Sequence, residues 1–332
     1  MYKTEISLGE GLPTMVVYGL NNLQITHKPE HNRINEQNSE LKRVSDLYFN
    51  EDLIEIDGVR VPSIFLAKTG LEKISEEILE DNYELPEEFK KFTRGVLEST
   101  RAFNGQSVSV ADLRLDKTSN IIYLKLRKAG YFDFISTNRS VDIHLNVHDH
   151  SFPIGKTLRD YEIENGRSLD LSESNLANML GVALFITSRE EDYFLFVRRG
   201  KNLAVDGGTI SCPGATPTWS DDIELKGFPN YLKGLIETEL MEEVLLEPSE
   251  FKIENCYFYQ NLIRGPEVVV DIKITPSIED LAIRCQGNKS VLEESDRFYA
   301  VPAKLKAISS LTQLGYDVNL TTKTGAYLLK ND

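Results

Sequence analysis

Two hydrophobic periods run through this chain of 332 residues. Short β-branched runs bounded by turn residues predict strands. They occur at residues 14–18 (TMVVY), ended by Gly19 and the Asn21-Asn22 pair, and at 121–127 (IIYLKLR) with 131–136 (YFDFIS), which flank Ala129 and Gly130. Within 53–61, Asp57-Gly58 between Ile56 and Val59 predicts a tight hairpin. Residues 27–39 (HKPEHNRINEQNS) are polar, carry Pro29 and show no period, which predicts a surface loop. From 71 to 97 the spacing turns helical through Leu71, Ile74 and Ile78, then Phe89, Phe92 and Val96; Pro86 splits it into two helices.

Residues 151–175 hold no long apolar run, so a domain boundary is expected near 170, between an α+β N-terminal domain (1–170) and a second domain (171–332). The second half predicts a short helix at 172–180 and strands at 181–187 and 193–198, with 188–192 as their turn. A loop over 200–222 contains Gly207-Gly208 and Pro213-Gly214. A helix over 229–246 follows, then strands at 256–263, 268–274 and 298–301 and a helix beginning near Pro302.

Charge narrows the function. Thirty-seven basic against 52 acidic side chains leave a formal charge of −15, which argues against a DNA or RNA duplex and against an anionic membrane surface. A small anionic ligand stays open if a divalent metal supplies positive charge. The three cysteines, Cys212, Cys256 and Cys285, form no CxxC pair, so neither a disulfide framework nor a zinc knuckle is expected. The opening MYKTEISLGEG has no apolar core of a signal peptide, and a reduced, cytoplasmic protein is expected.

The chemistry concentrates in NYLKGLIETELMEEVLLEP, residues 230–248. At about 100° per residue, Glu242 stands at about −60° and Glu243 at about +40° from Glu239, so three carboxylates share one helical face. Ile236, Leu240 and Val244 form an apolar flank that can pack on a sheet. Like charges at i,i+4 cost about 0.2–0.5 kcal/mol per pair, and bound Mg²⁺ or Mn²⁺ would remove that cost. Alone, such a face is more often solvated surface in a chain this acidic. Its context differs: a strand with paired arginines, Arg198-Arg199, and a loop ending Cys212-Pro213-Gly214-Ala215 precede it.

Residues 195–246 resemble the Nudix hydrolase family, whose box runs G-x5-E-x7-R-E-U-x-E-E-x-G-U, with U a bulky aliphatic. Thr238-Glu239-Leu240-Met241-Glu242-Glu243-Val244-Leu245-Leu246 matches the second half of the box, and Pro213-Gly214-Ala215 resembles its opening. The segment 176–182 and Val197-Arg198-Arg199-Gly200 extend the likeness, so the resemblance spans roughly 172–332, about half the chain. It implies a Nudix-type α/β/α sandwich, with a mixed sheet between the box helix and a C-terminal helix. The family's metal ligands fall on Glu239, Glu242, Glu243 and the carbonyl of Gly214, which would hold Mg²⁺ or Mn²⁺ to polarise a diphosphate and activate water. A general base from a later loop falls on Glu294 or its neighbour Glu293. Arg198 or Arg199 would hold substrate phosphate; alternation along a strand allows only one of them to face the site.

Three departures set the alternative. Thr238 replaces the box Arg that braces the helix on an upstream Glu, Leu245 replaces the box Gly, and the stretch from Gly214 to Glu239 is longer than in the family. Asp221, Asp222 and Glu224 are candidates for the upstream acid, Lys226 and Lys233 for a substitute brace. The leading expectation is metal-dependent hydrolysis of a diphosphate linkage in a nucleoside diphosphate derivative. The alternative is a weak or inactive Nudix-fold sensor that binds a nucleotide-type ligand. A homodimer is left open. Separately, Asp142, His144, Asn146, His148 and His150 alternate in VDIHLNVHDH, a weak candidate for a transition metal against the commoner reading of a polar strand edge.

Overall fold

The computed structural model describes residues 1–21, 29–87, 89–90, 103–143, 156–188, 190, 192–200 and 208–330. Its strands are β1 (Tyr2–Ile6), β2 (Met15–Gly19), β3 (Ile54–Ile56), β4 (Val59–Val61), β5 (Ile64–Thr69), β6 (Ile74–Ile78), β7 (Gln106–Asp116), β8 (Ile121–Gly130), β9 (Ile163–Glu164) and β10 (Arg167–Ser168). They continue with β11 (Gly181–Ser188), β12 (Tyr193–Arg199), β13 (Ile210–Ser211), β14 (Gly214–Ala215), β15 (Phe251–Gln260), β16 (Pro266–Ile274) and β17 (Ser295–Pro302). Among the described residues the main sheet has ten strands in the order β1-β2-β17-β12-β11-β16-β15-β5, with β13 on β12 and β14 on β11. It is mixed: β11 and β16 run parallel over eight register pairs, and the other pairings are antiparallel.

Each face of this sheet buries its own core. Leu184, Ile186, Leu195, Val270 and Phe298 turn to one side, where they meet Phe228, Leu232, Ile236, Leu240 and Val244 of the helix Phe228–Val244. Their alternates Phe185, Phe194, Phe196, Val269 and Tyr299 turn to the other, against helices Leu305–Gln313 and Leu320–Lys330. That is the period-two rule of a sheet covered on both faces, and the layering expected for the second half of the chain. The five apolar positions of the acidic helix recur every four residues and all are fully buried, so one stripe fastens it.

The expectation of a separate N-terminal domain meets a different arrangement. β2 is hydrogen-bonded to β17 and β5 to β15, so strands from before residue 171 complete both sides of the main sheet. The three-stranded sheet β6-β8-β7 places Ile74, Val108, Val110, Ile122, Leu124 and Leu126 in the same core as the acidic helix. Val110 N–H donates to the Asn178 carbonyl (3.0 Å) and Leu180 N–H to the Val108 carbonyl (2.9 Å), across the expected boundary. The strand order does not divide at residue 170.

Four local expectations change. Ile74–Ile78 is a strand, not a helix; a spacing of four returns to the same face in either element, so Ile74 and Ile78 could not discriminate. The second predicted helix is helical at Glu87, Phe89 and Lys90, and Phe92 and Val96 lie outside the described residues. Tyr131–Ser136 is a helix rather than a strand, because the Asp133 carboxylate accepts the Gly130 N–H at 2.8 Å and caps its first turn. His31–Ser45 is a helix where a loop was expected: Ile34 and Val44 are buried, and Leu41 packs partly buried between them. Residues 172–180 are turn and extended chain instead of helix, since the backbone there pairs with β7. The Asp57-Gly58 hairpin stands as expected, both residues at positive φ. Among the described residues no helix is long and apolar enough to cross a membrane.

Candidate active site on the acidic helix

The loop before the acidic helix is positioned by backbone contact. Gly214 pairs with Ala183 and Ala215 with Val182, and the Leu184 N–H donates to the Pro213 carbonyl at 2.8 Å. A Cβ on Gly214 would run into the Val182 carbonyl oxygen, so only glycine lets the two chains approach this closely. From the other side the Cys212 N–H donates to Thr322 Oγ1 (2.8 Å) and Asn319 Nδ2 to Ser211 Oγ (2.9 Å), tying the loop to helix Leu320–Lys330. The outcome of this placement is a 3.4 Å hydrogen bond from the Gly214 N–H to Glu243 Oε1. Gly214→Ala is expected to displace the loop from β11 and cost about 1–3 kcal/mol through overpacking, measured as a lower urea midpoint; an unchanged midpoint would show that the backbone relaxes freely.

Glu239 and Glu243 lie one turn apart, and Glu243 faces this loop. Burial pushes the Glu239 carboxyl up to about 7, with the charges of Glu242 and Glu294 adding to the shift. Burial pushes Glu243 up to about 8; Glu239 raises it further, the Gly214 N–H opposes, Glu294 raises it and Arg199 opposes. Desolvation and like charge thus act together, the pattern of paired carboxylates at functional sites. Glu242 is exposed, as are Glu293 and Glu294, the last residues of helix Lys289–Glu294. Glu294 acts on both raised carboxyls, and Glu293 is not among the groups acting on either.

The paired arginines separate as alternation requires. Arg199 turns to the face of Glu243. Arg198 turns to the face of Tyr299, whose hydroxyl feels its charge, and lies 3.6 Å from Asp296. Arg199 alone of the two therefore stands with the carboxylates.

Among the described residues, neither Thr238 nor the two candidate lysines ties its helix to an acid of another element. Thr238 is exposed and donates its hydroxyl to the Gly234 carbonyl of its own helix at 3.0 Å. Lys226 pairs with Asp222 (3.0 Å) and Lys233 with Glu237 (3.0 Å), both one-turn surface pairs, while Asp221 and Glu224 are exposed. What holds the helix start is Glu76 of β6, whose Oε1 accepts the Phe228 N–H at 2.9 Å. A carboxylate at a helix N-terminus satisfies an orphan donor and meets the positive end of the dipole. No spacing signal could have found Glu76, which is 152 residues away in sequence. At the other end Leu245 takes the left-handed conformation (φ 53, ψ 42), and the Leu246 N–H returns to the Leu240 carbonyl at 3.1 Å. The helix thus ends on a left-handed residue. Leu245 adopts the backbone conformation that ordinarily favours glycine.

For a metal, the donor chemistry and the arrangement differ in what they support. Two partly buried carboxylates with raised pKa values suit a hard dication, which would replace the missing countercharge. Among the described residues, however, no group of three or more His, Cys, Asp or Glu side chains is arranged to hold a metal ion. Mg²⁺ commonly takes one or two carboxylates with water and substrate phosphate rather than an all-protein cage, and Glu239 with Glu243 fits that mode. His144, Asn146, His148 and His150 lie outside the described residues; Asp142, the remaining member of that run, is held by Arg159 at 2.6 Å.

No family model matches the chain, and no curated protein matches it. Among solved structures, the protein DR0079 of Deinococcus radiodurans is 8% identical, at a TM-score of 0.33, over 46% of this chain and 83% of its own. The Nudix domain of NrtR from Shewanella oneidensis, crystallised with ADP ribose, is 15% identical at a TM-score of 0.31, over 47% and 88%. A further structure of Shewanella oneidensis NrtR is 16% identical at 0.29, over 45% and 61%. Nudix domains are thus among the structural neighbours over less than half of this chain. Likenesses at these scores decide neither its fold nor its function.

Proposed function

We propose that this chain is a Nudix-type hydrolase that cleaves a diphosphate linkage in a nucleoside diphosphate derivative, using Mg²⁺ or Mn²⁺ shared between its acidic helix and the substrate. The observation that carries this reading is the pair Glu239 and Glu243 one turn apart on the acidic helix, with the Gly214 N–H on Glu243 and burial raising both carboxyls. The metal would be held by these two carboxylates with the Gly214 loop beside them, Glu242 completing the acidic rim. When bound, it supplies charge to the diphosphate and lowers the pKa of a water. Arg199, on the same face, binds and orients a phosphate oxygen. Glu294, whose charge reaches both carboxyls, takes the proton from the attacking water.

A second reading has its own observation. Thr238 hydrogen-bonds only within its own helix, so the box helix lacks the charge-assisted contact that Arg provides. That favours a chain that binds a nucleotide-type ligand and turns it over slowly or not at all.

One experiment addresses both. Calorimetric titration with Mn²⁺ is expected to show binding that Glu239→Gln and Glu243→Gln each weaken at least about tenfold, since each removes a charged ligand. Mg²⁺-dependent release of phosphate or mononucleotide from a mixed panel of nucleoside diphosphate derivatives then separates hydrolase from binder. Unchanged Mn²⁺ affinity in both variants removes the metal site; metal binding without turnover selects the binder.

A further inference from the structure

On the face of the main sheet away from the acidic helix, a cavity of about 490 Å³ lies between helix His31–Ser45, the start of helix Leu320–Lys330 and the turn joining β15 to β16. This is the size of a small-molecule site. Part of its wall is apolar, from Leu41, Val44, Leu262, Val318 and Leu320. The rest is polar and largely fixed in place. Glu267 accepts from Tyr259 Oη (2.7 Å), Asn261 Nδ2 (3.1 Å) and Thr321 Oγ1 (3.3 Å), so three lining side chains are anchored on one buried carboxylate.

Two side chains of the wall are unsatisfied. Ser63 and Thr324 are both 0% exposed, and among the described residues neither Ser63 Oγ nor Thr324 Oγ1 has a hydrogen-bond partner. Buried hydroxyls are ordinarily paired, so two orphans in one wall mark a place where a ligand supplies the partner. The charges point the same way. Of the acids lining the cavity, Asp142 is held by Arg159 (2.6 and 2.8 Å), Glu40 by Arg43 (2.5 Å) and Asp317 by Arg33 (3.1 Å). Glu36 has no ion pair among the described residues. Lys323 has no ion pair among the described residues; burial lowers its pKa, opposed by the charges of Asp57 and Asp317. Arg139 stands at the exposed rim. Lys323 is the inner cation of the wall and is desolvated, with Arg139 at the rim; Glu36 and the hydrogen-bonded Glu267 are the acids they stand against.

We propose that this cavity binds a small organic anion, a phosphate monoester or a carboxylate, with Lys323 as its counter-ion and the Ser63 and Thr324 hydroxyls as hydrogen-bond partners. The apolar wall takes the body of the ligand. This site uses none of the acidic-helix residues, and its existence does not depend on the hydrolase reading.

The test is thermal unfolding of the full chain with matched pairs of probes: adenosine 5′-monophosphate against adenosine, glucose 6-phosphate against glucose, and benzoate against benzamide. At least one anion is expected to raise the midpoint where its uncharged counterpart does not, and the pair that responds tells phosphate monoester from carboxylate. Lys323→Met, which keeps the length of the side chain, is expected to weaken that binding at least about tenfold. Thr324→Val should weaken it as well, and Glu243→Gln should leave it unchanged. Circular dichroism checks that each variant folds, and Ser63→Ala stands in if Lys323→Met does not. No shift with any anion, or a shift that survives the loss of Lys323 or disappears with Glu243→Gln, overturns the proposal.

Discussion

A chain beginning at residue 171 is expected not to fold. Removing residues 1–170 strips β2 from β17 and β5 from β15, leaving unpaired strand edges on both sides of the sheet. It also uncovers the core shared by the acidic helix and β6-β8-β7, in which Ile74, Val108, Val110, Ile122, Leu124 and Leu126 are buried. Fully burying one such side chain contributes about 1.5–3 kcal/mol, so six of them match or exceed the roughly 5–15 kcal/mol by which a native domain is stable. The Glu76 cap on the Phe228 N–H disappears with them. Loss of the near-ultraviolet circular dichroism signal and of a cooperative urea transition is the expected measurement. A cooperative transition in the truncated chain would show that its second half is complete without the first.

Stability without added metal is expected to fall as pH rises from about 4.5 to about 8 and to level off above it. Glu239 and Glu243 release their protons near 4.5 in an unfolded chain, and only near 7 and 8 in the folded one. Between those limits the folded state holds protons that the unfolded state has lost, so each step up in pH favours unfolding. Glu243→Gln, which keeps the shape and removes the titration, is expected to stabilise the protein at pH 8.5 by on the order of 1–3 kcal/mol after allowance for solvent screening. At pH 4 its effect should vanish. Divalent metal competes for the same sites as the protons, so Mn²⁺ affinity should rise across pH 6–9. Urea unfolding of the wild type and the variant at the two pH values checks the first claim, and calorimetry the second. A wild-type stability that rises across this window would show that the two carboxyls are not raised.

Much of the acidic face was legible because helical angle is a property of spacing alone. Once 230–248 was helical, Glu239 and Glu243 had to share a side with Ile236, Leu240 and Val244 on the flank, and the buried stripe follows. Alternation along a strand likewise separates Arg198 from Arg199, and the Asp57-Gly58 turn needed only the two residues that tolerate positive φ. What failed were segments whose local pattern admits two answers. Ile74 and Ile78 sit four apart, which suits either period, and pairing with β8 decided for a strand. In YFDFIS the run of aromatic and β-branched residues lost to one capping carboxylate, Asp133.

By itself the sequence determined the period of each strong element, the face on which the carboxylates gather and the chemistry they offer, because these depend on neighbours within a few residues. Tertiary structure decided what no local pattern encodes. Strands from residues 2–69 finish the sheet of the second half, Glu76 caps a helix 152 residues later, and burial turns two ordinary glutamates into groups that titrate near neutrality. The physical reason is range. Side-chain direction is set by the nearest few bonds, whereas desolvation, charge coupling and edge pairing depend on which distant segments pack together, and only the folded chain settles that.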